Sequence, residues 1–448
     1  MRCWTASSEH RGLRVPDGQG FPRVLILCDE PINRIGGGGV TMRSLFRDWP
    51  RDRLAQVWAH HRFDIDTEVC PTSFRLGTHS MPGENWIPQG VRRRRGLVRW
   101  LRPILRPGTR LHYPPVRSWA KAFAPDVIYS QATPYPMYTW WLPRHLASDL
   151  GVPLVNHIMD DWPAVFPADW IRPMRRLMDA YARRQLTLLF GAAARNLAIS
   201  HQMAEAFTER YGHDFTPFHN AIDLGEWSAP RTEYVARKGA FRVVYLGALT
   251  QNMQLMSLVD IADSIAFLSA QGHNISLTVY SSAVYIDYFE QYLSGRAAVS
   301  HGGPVARTDL CQRLSEADLL VIPVNFDQSS LLLNQYSMPT KVPEYMASGT
   351  PILVYGPPRV PPTAYARQEG WGLVVDRREP VLLQAALLEL MQSESLRALL
   401  GRRARLLAVK DHDAVVMRCR FREMLCEAAA QVRVPLPDLT LSARDDVN

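Results

Sequence analysis

Residues 317–357 read ADLLVIPVNFDQSSLLLNQYSMPTKVPEYMASGTPILVYGP. Two continuous apolar runs, LLVIPV and PILVYG, bracket a polar loop and a short stretch with helical turn chemistry. Runs that are apolar at every position, not every second one, belong to strands buried on both faces, and so to a parallel sheet covered by helices. Pro339 suits a first helical turn, Ser337 is placed to cap it, and Gly349 closes the helix before the next strand. The helix N-terminus should therefore open toward the carboxyl ends of the strands, where open α/β sheets bind their ligands.

The same alternation extends in both directions. Strands are expected over 23–29, 126–130, 153–160 and 195–200, then over 241–247, 275–281, 319–324, 351–356 and 372–376. Helical periodicity fills 172–190, 257–271, 307–317 and 380–392. The 448 residues exceed the roughly 250–300 at which a single core stops growing. An α/β fold of two Rossmann-like, doubly wound parallel-sheet domains facing across a cleft follows, joined through the polar stretch 227–239. Residues 50–121, rich in Pro, Gly and Arg, read as the least regular part of the first domain and a place for long loops and acceptor contacts.

Hydrophobic residues make up 47% of the chain and charged residues 21%, an ordinary globular balance that excludes a disordered or fibrous class. No apolar run of about 18 residues is visible, so no spanning helix is expected. The first twenty residues lack the apolar core of a signal peptide and read as a polar leader, and the tail from 434 reads as flexible. Six scattered cysteines without a CxxC fit free thiols in a reducing cytoplasm. The net charge of +8 is concentrated between Arg92 and Arg117, where arginines interleave with Trp100, Leu101, Ile104 and Leu105. That pattern suits the surface of an anionic membrane, though a solvated basic helix would look alike. No nucleic-acid motif accompanies it.

Three places carry candidate chemistry. The first strand leads into INRIGGGGVTMRSLF, where Gly37, Gly38 and Gly39 precede a helix expected to open near Val40; glycines admit close backbone approach, and a helix N-terminus favours an anion. NHIMDDWP brings His157, Asp160 and Asp161 to a strand end, able to bond sugar hydroxyls, while one Asp could instead cap the next helix. Adjacent aspartates cannot close a metal site alone. In the opening segment, Lys341 adds a charge to the first helical turn and Glu344 can reach ribose hydroxyls; the plainer reading is an i,i+3 surface pair. The Asn220–Asp223 turn in HNAID reads as structural.

Taken in order, GGGGVTMRSL, NHIMDDWP, LAISHQMAEAF, HNAID, VVYLGAL, ADLLVIPV and PTKVPEYMASGTPIL resemble the group 1 glycosyltransferases, mostly retaining enzymes of GT-B architecture. The resemblance spans about 21–430. It implies an acceptor domain over 21–228, a nucleotide-sugar domain over 229–408, and a helix over 409–433 crossing back to the first domain. It further implies a nucleotide-sugar donor, a polysaccharide, lipid-linked or other glycan acceptor, retention at the anomeric carbon, and no metal or cofactor. A cytoplasmic enzyme, peripheral on the inner face of the membrane, would fit. Glu344 matches the second acid of the family's E-x7-E motif, but Tyr336 stands where the first would be. LGALTQNMQL, after the first strand of the second domain, lacks the family's basic pair. The expected site is thus His157, Asp160 and Lys341 for catalysis, with Gly37, Gly38, Gly39, Tyr336, Ser337, Thr340 and Glu344 at the donor. A nucleotide-sugar epimerase of the same fold and an inactive sugar-nucleotide binder are the alternatives.

Overall fold

The computed structural model describes residues 20–34, 37–59, 64–76, 113–134, 138–166, 172–226 and 239–431. The first half runs β1 (Val24–Leu27), α1 (Gly37–Phe46), β2 (Leu54–Trp58), β3 (Thr72–Arg75), α2 (Tyr113–Phe123), β4 (Val127–Gln131), α3 (Tyr138–Leu150), β5 (Leu154–Ile158), α4 (Trp162–Val165), α5 (Arg172–Ala192), β6 (Arg195–Ala198), α6 (His201–Tyr211) and β7 (Phe215–Pro217). The second continues with β8 (Phe241–Leu246), a π-helical turn (Gln251–Leu255) leading into α7 (Met256–Ala270), β9 (Ile275–Tyr280), α8 (Ile286–Tyr292), β10 (Val299–Gly303), α9 (Arg307–Ser315) and β11 (Leu319–Pro323). It closes with α10 (Gln328–Asn334), α11 (Lys341–Ser348), β12 (Ile352–Tyr355), α12 (Pro361–Glu369), β13 (Leu373–Val375), α13 (Pro380–Gln392), α14 (Glu394–Asp411) and α15 (Ala414–Ala430).

Among the described residues these strands form two sheets, of order β3-β2-β1-β4-β5-β6-β7 and β10-β9-β8-β11-β12-β13. Every strand pair is parallel. Strand order reverses between β1 and β4 and between β8 and β11, and each reversal leaves a crevice at the carboxyl ends. The continuous apolar runs arise because alternate residues feed different cores. Val243, Tyr245, Val321 and Leu353 pack toward α7 and α13. Val244, Leu320, Ile322 and Val354 pack toward Tyr345, Trp371 and Ala404 on the other face.

Four strands went unread in the sequence. β3 (TSFR) and β10 (VSHGG) are edge strands with partly exposed faces, and β7 spans three residues. β2 (LAQVW) is wholly buried. It lies, with β3, in the stretch 50–121 that was expected to be irregular; its polar Gln56 is tolerated because Oε1 accepts from Ile32 N at 3.0 Å. The helix after the glycines opens at Gly37, not near Val40. Among the described residues one helical run, Gln251–Ala270, is long and apolar enough to span a bilayer by length and composition. Its Leu255, Leu258, Ile261 and Ile265 are buried in the second domain's core, so it is a core helix.

Helix α15 leaves the second domain and returns to the first. Its Met417, Phe421, Met424 and Leu425 join the core built on β1 and β4, where Phe421 meets Phe46 and Tyr129 edge-on. At the crossing, Ile222 N donates to His412 O at 2.8 Å and Ala414 N to Ile222 O at 2.9 Å. The two chain segments that connect the domains are therefore bonded side by side.

α14 lies against the end of α11, and Gly401 is the reason it can. A Cβ on Gly401 would overlap the carbonyl oxygen of Gly349 and stand 3.1 Å from its carbon. Gly349 itself sits at φ 70° to terminate α11. Gly401→Ala should cost about 1–3 kcal/mol, the usual penalty for overpacking, and lower the melting temperature by a few degrees. An unchanged melting temperature would refute this account of the packing.

Candidate functional site

On the second domain the crevice is walled by α11 and the end of β8. Pro343 occupies the first turn of α11, where a missing N–H leaves nothing unsatisfied. Thr340 stands at the N-cap position but its side chain makes no capping bond. Ser337, the expected cap, instead turns its hydroxyl away from the helix, 3.1 Å from Leu333 O. Tyr345 fastens the helix to the strand, its hydroxyl accepting from Leu246 N at 2.8 Å and donating to Leu246 O at 3.2 Å.

Lys341 points along this seam. Its Nζ donates to Tyr245 Oη at 2.7 Å and lies 4.1 Å from the centre of that ring, a cation–π contact. It also occupies the space beside Gly247, where a Cβ would come within 2.6 Å of it. The residue as a whole is half-buried, and chain closes round its ammonium. That burial pulls it from its ordinary 10.5 down to about 7, with Glu344 opposing. Glu344, one turn on, accepts from Arg307 Nη1 at 2.9 Å. Arg307 opens α9, just past the end of β10.

On the first domain the crevice lies between β1 and β4. Glu30, past the end of β1, accepts from Gly39 N at 3.1 Å and from Asn33 Nδ2 at 2.8 Å. The N-terminus of α1, expected to await an anion, is thus already met by the chain's own carboxylate. Gly39 is needed because a Cβ would overlap the Asn33 amide and reach 2.5 Å from the Pro31 carbonyl oxygen, while one on Gly38 would stand 2.6 Å from the end of the Gln131 side chain. Of these three, Gly37 faces open space. Gln131, at the end of β4, is 94% buried by its 6% exposure. Its Nε2 reaches Met159 Sδ at 3.2 Å, and its Oε1 has no partner among the described residues.

Asp160 stands just past the end of β5, exposed to solvent yet with its carboxyl crowded by surrounding chain. That crowding raises its pKa, Asp161 and Glu30 add to the rise, and a hydrogen bond from Ser337 opposes it. His157 is not in the cleft. It is fully buried on the face of the sheet that carries Tyr129. Its Nδ1 shares a 2.8 Å hydrogen bond with Tyr129 Oη, and burial drives it to about 3, so the ring stays neutral. His157, expected among the catalytic residues, is thus placed in the core, because strand parity turns residue 157 inward.

Asp161 is likewise structural. Arg210 grips both its oxygens at 2.6 and 3.0 Å, and Gln335 Nε2 donates to it at 2.8 Å. That last bond crosses between the domains, and three more follow it in sequence. Ser200 Oγ donates to Tyr336 O at 2.7 Å, Ser337 Oγ to Asp160 Oδ1 at 3.2 Å, and Asn220 Nδ2 to Met338 O at 3.3 Å. Each residue from 335 to 338 makes one bond to the first domain, and Tyr336 packs against that domain's core. Tyr336 and Ser337, expected at the donor, thus lie in a segment that bonds the second domain to the first. Nothing in its own sequence marks it, since its partners lie more than 100 residues away. The basic stretch between Arg92 and Arg117 lies outside the described residues up to position 112.

Two sequence profiles match the chain: "Glycosyltransferase Family 4" over 35–226 and "Glycosyl transferases group 1" over 240–393. No curated protein matches by sequence. Among solved structures, HepE of Anabaena in complex with UDP is similar, with a TM-score of 0.61 and 15% identity over 90% of this chain and 100% of that one. Sucrose-phosphate synthase of Thermosynechococcus elongatus gives 0.60 and 12% over 90% and 98%. WaaG, a glycosyltransferase involved in lipopolysaccharide biosynthesis, gives 0.57 and 13% over 89% and 99%.

Proposed function

We propose, from the premise that this chain belongs to the group 1 glycosyltransferases and is a nucleotide-sugar-dependent transferase of GT-B architecture, that Lys341 is the cation on which the donor diphosphate is held. The observation carrying this reading is the Lys341 ammonium at the end of β8, bonded to a phenol and, among the described residues, to no carboxylate. It stands where the strand order reverses, in the crevice whose first loop, Gly247–Thr250, has no basic residue. The N-terminus of α11 adds its partial positive charge from the same side. Glu344 then accepts the ribose hydroxyls, exchanging its bond to Arg307 for them.

In this division of labour, residues 229–408 bind the donor and 21–228 the acceptor, with 409–433 crossing back. Asp160 meets sugar hydroxyls across the cleft. Tyr336, packed into the first domain, leaves sugar recognition to it. Transfer proceeds with retention and without a metal, to a glycan or lipid-linked acceptor, in the cytoplasm. As the glycosidic bond breaks, negative charge grows on the departing phosphate, and a fixed cation in a crowded crevice stabilises it more than water could.

The first test is a thermal-shift panel of UDP, GDP and ADP, with UDP foremost because HepE was solved with it. A ligand at 100 times its Kd stabilises by about 2.7 kcal/mol, a shift of several degrees. Glu344→Ala should shrink that shift for the same ligand. If no nucleotide moves the melting temperature, or if Glu344→Ala leaves the shift intact, the donor site is elsewhere.

A further inference from the structure

The HNAID turn, which the transfer reaction leaves unused, stands where the two domains are joined. Asn220 is buried there, and its side chain reaches both domains. Oδ1 accepts from Thr41 Oγ1 of α1 at 2.7 Å, and Nδ2 donates to Met338 O, just ahead of α11, at 3.3 Å. Its carbonyl oxygen accepts from two imidazoles, His219 Nδ1 at 3.1 Å and His412 Nδ1 at 3.3 Å. One residue therefore bonds to the helix of the glycine loop, to the chain entering the helix of Lys341, and to the last residue before the return of α15 begins.

The two imidazoles are placed so that neither can take a second proton cheaply. A carbonyl only accepts, so each Nδ1 carries the ring's hydrogen and leaves Nε2 bare. The rings meet edge-on with centres 4.7 Å apart, and His412 Nε2 is buried with no partner among the described residues. A proton there would find no acceptor, and with both rings charged two cations would touch. Burial drives His412 down to about 3, His219 adds to the fall, and the Asn220 carbonyl opposes it. Burial lowers His219 too; His201 of α6 and Arg420 of α15 add to this, while the Asn220 carbonyl and Asp411, at the end of α14, oppose it. Tyr365 of α12 meets the His412 ring edge-on at 5.9 Å, and the Asp413 carboxylate is turned away to cap α15.

We propose that His219, Asn220 and His412 form a proton-sensitive catch at the crossing between the domains. While both rings are neutral, Asn220 positions α1 against the chain that enters α11 and so sets the width of the cleft. When the rings take protons the crossing parts and the domains shift. Rings released to solvent bind protons below their ordinary 6.5, and the closed catch refuses them. Release therefore becomes about tenfold more favourable per pH unit below 6.5 for each proton refused, and the catch holds fully above that value. The inference does not depend on the donor assignment, and its test uses no nucleotide.

The full chain is followed by small-angle X-ray scattering from about pH 8 to about pH 5, with circular dichroism at each step. The radius of gyration should be constant above about pH 7 and rise reversibly below about 6.5, with the helical signal unchanged. His219→Phe/His412→Phe keeps the ring contact without the protons and should show one radius at every pH. Asn220→Ala should have the larger radius already at about pH 8. Should it fail to fold, Thr41→Val, which removes a single bond, should show a smaller shift in the same direction. A wild-type radius indifferent to acid overturns the proposal, as does a wild-type radius at about pH 8 in Asn220→Ala or, in its place, Thr41→Val. Expansion that persists in the double phenylalanine variant overturns it as well, and assigns the effect to Asp160 and its bond from Ser337. So does loss of the helical signal together with the change in radius, which would be acid unfolding of the whole chain.

Discussion

Lys341→Ala should lower kcat/KM for sugar transfer by roughly 10²–10³-fold, the range found when one preorganised donor to a developing oxyanion is removed. The size of the effect follows from the surroundings. Tyr245 holds Nζ in place, and the crowded crevice screens the charge less than water does. Lys341→Arg keeps the charge but cannot keep the geometry, because the space beside Gly247 is filled by a single ammonium. It should recover only part of the rate. A Lys341→Ala enzyme with wild-type kcat and donor KM would sink the assignment.

The pH behaviour separates this lysine from a merely structural one. With a pKa of about 7 in the free protein, Lys341 is charged below neutrality and neutral above it. Affinity for a nucleotide-sugar, whose diphosphate does not titrate in this range, should be flat below pH 7. Above it, affinity should fall about tenfold per unit, and Lys341→Arg should abolish that slope. Stability moves the opposite way. Between 7 and 10.5 the unfolded chain holds a proton on Lys341 that the folded chain has released, so folding becomes more favourable as pH rises through that window. The free protein should therefore gain stability just where it loses donor. If affinity and stability both ignore this window, Lys341 is not a cation enclosed by the crevice.

The second large effect is expected at Arg210. Arg210→Met should destabilise the protein by about 3–5 kcal/mol, because it strands the Asp161 carboxylate in a buried site. The Asp161 side chain has no exposure and Arg210 only 24%. Burial works against the Arg210 charge, and the Asp161 carboxylate more than offsets it. The double variant Arg210→Met/Asp161→Asn should recover part of the loss, since no buried charge is then left alone. Denaturant unfolding of the two singles and the double measures the coupling. A loss under about 0.5 kcal/mol in Arg210→Met would mean that the pair is effectively solvated.

What could be read from residue order was set by how local its cause is. VLIL, LLVIP and ILVY identify themselves as strands because two cores claim their alternate residues. TSFR and VSHGG do not, because an edge strand needs no such pattern. Lys341, Glu344 and Gly349 were legible because one helical turn relates them. His157 and Asp160 looked alike in the sequence, being polar residues at one strand end. Only the pairing of β5 with β4 decides that one faces Tyr129 and the other the cleft. Gln335–Met338 looked like part of the donor motif, and their bonds to Asp161, Ser200, Asp160 and Asn220 exist only once the two domains meet.

The return of α15 bears on how the chain is made. Phe46, Tyr129 and Phe218 complete their packing only against Phe421, which leaves the ribosome last among them. At ~5–20 residues per second, the ~200 residues that follow Phe218 take ~10–40 s to synthesise. Through that interval the nascent first domain has an apolar face with no cover. A chaperone that engages apolar surface has its longest opportunity here, and a chain that terminates before Ala414 would keep that face open for good.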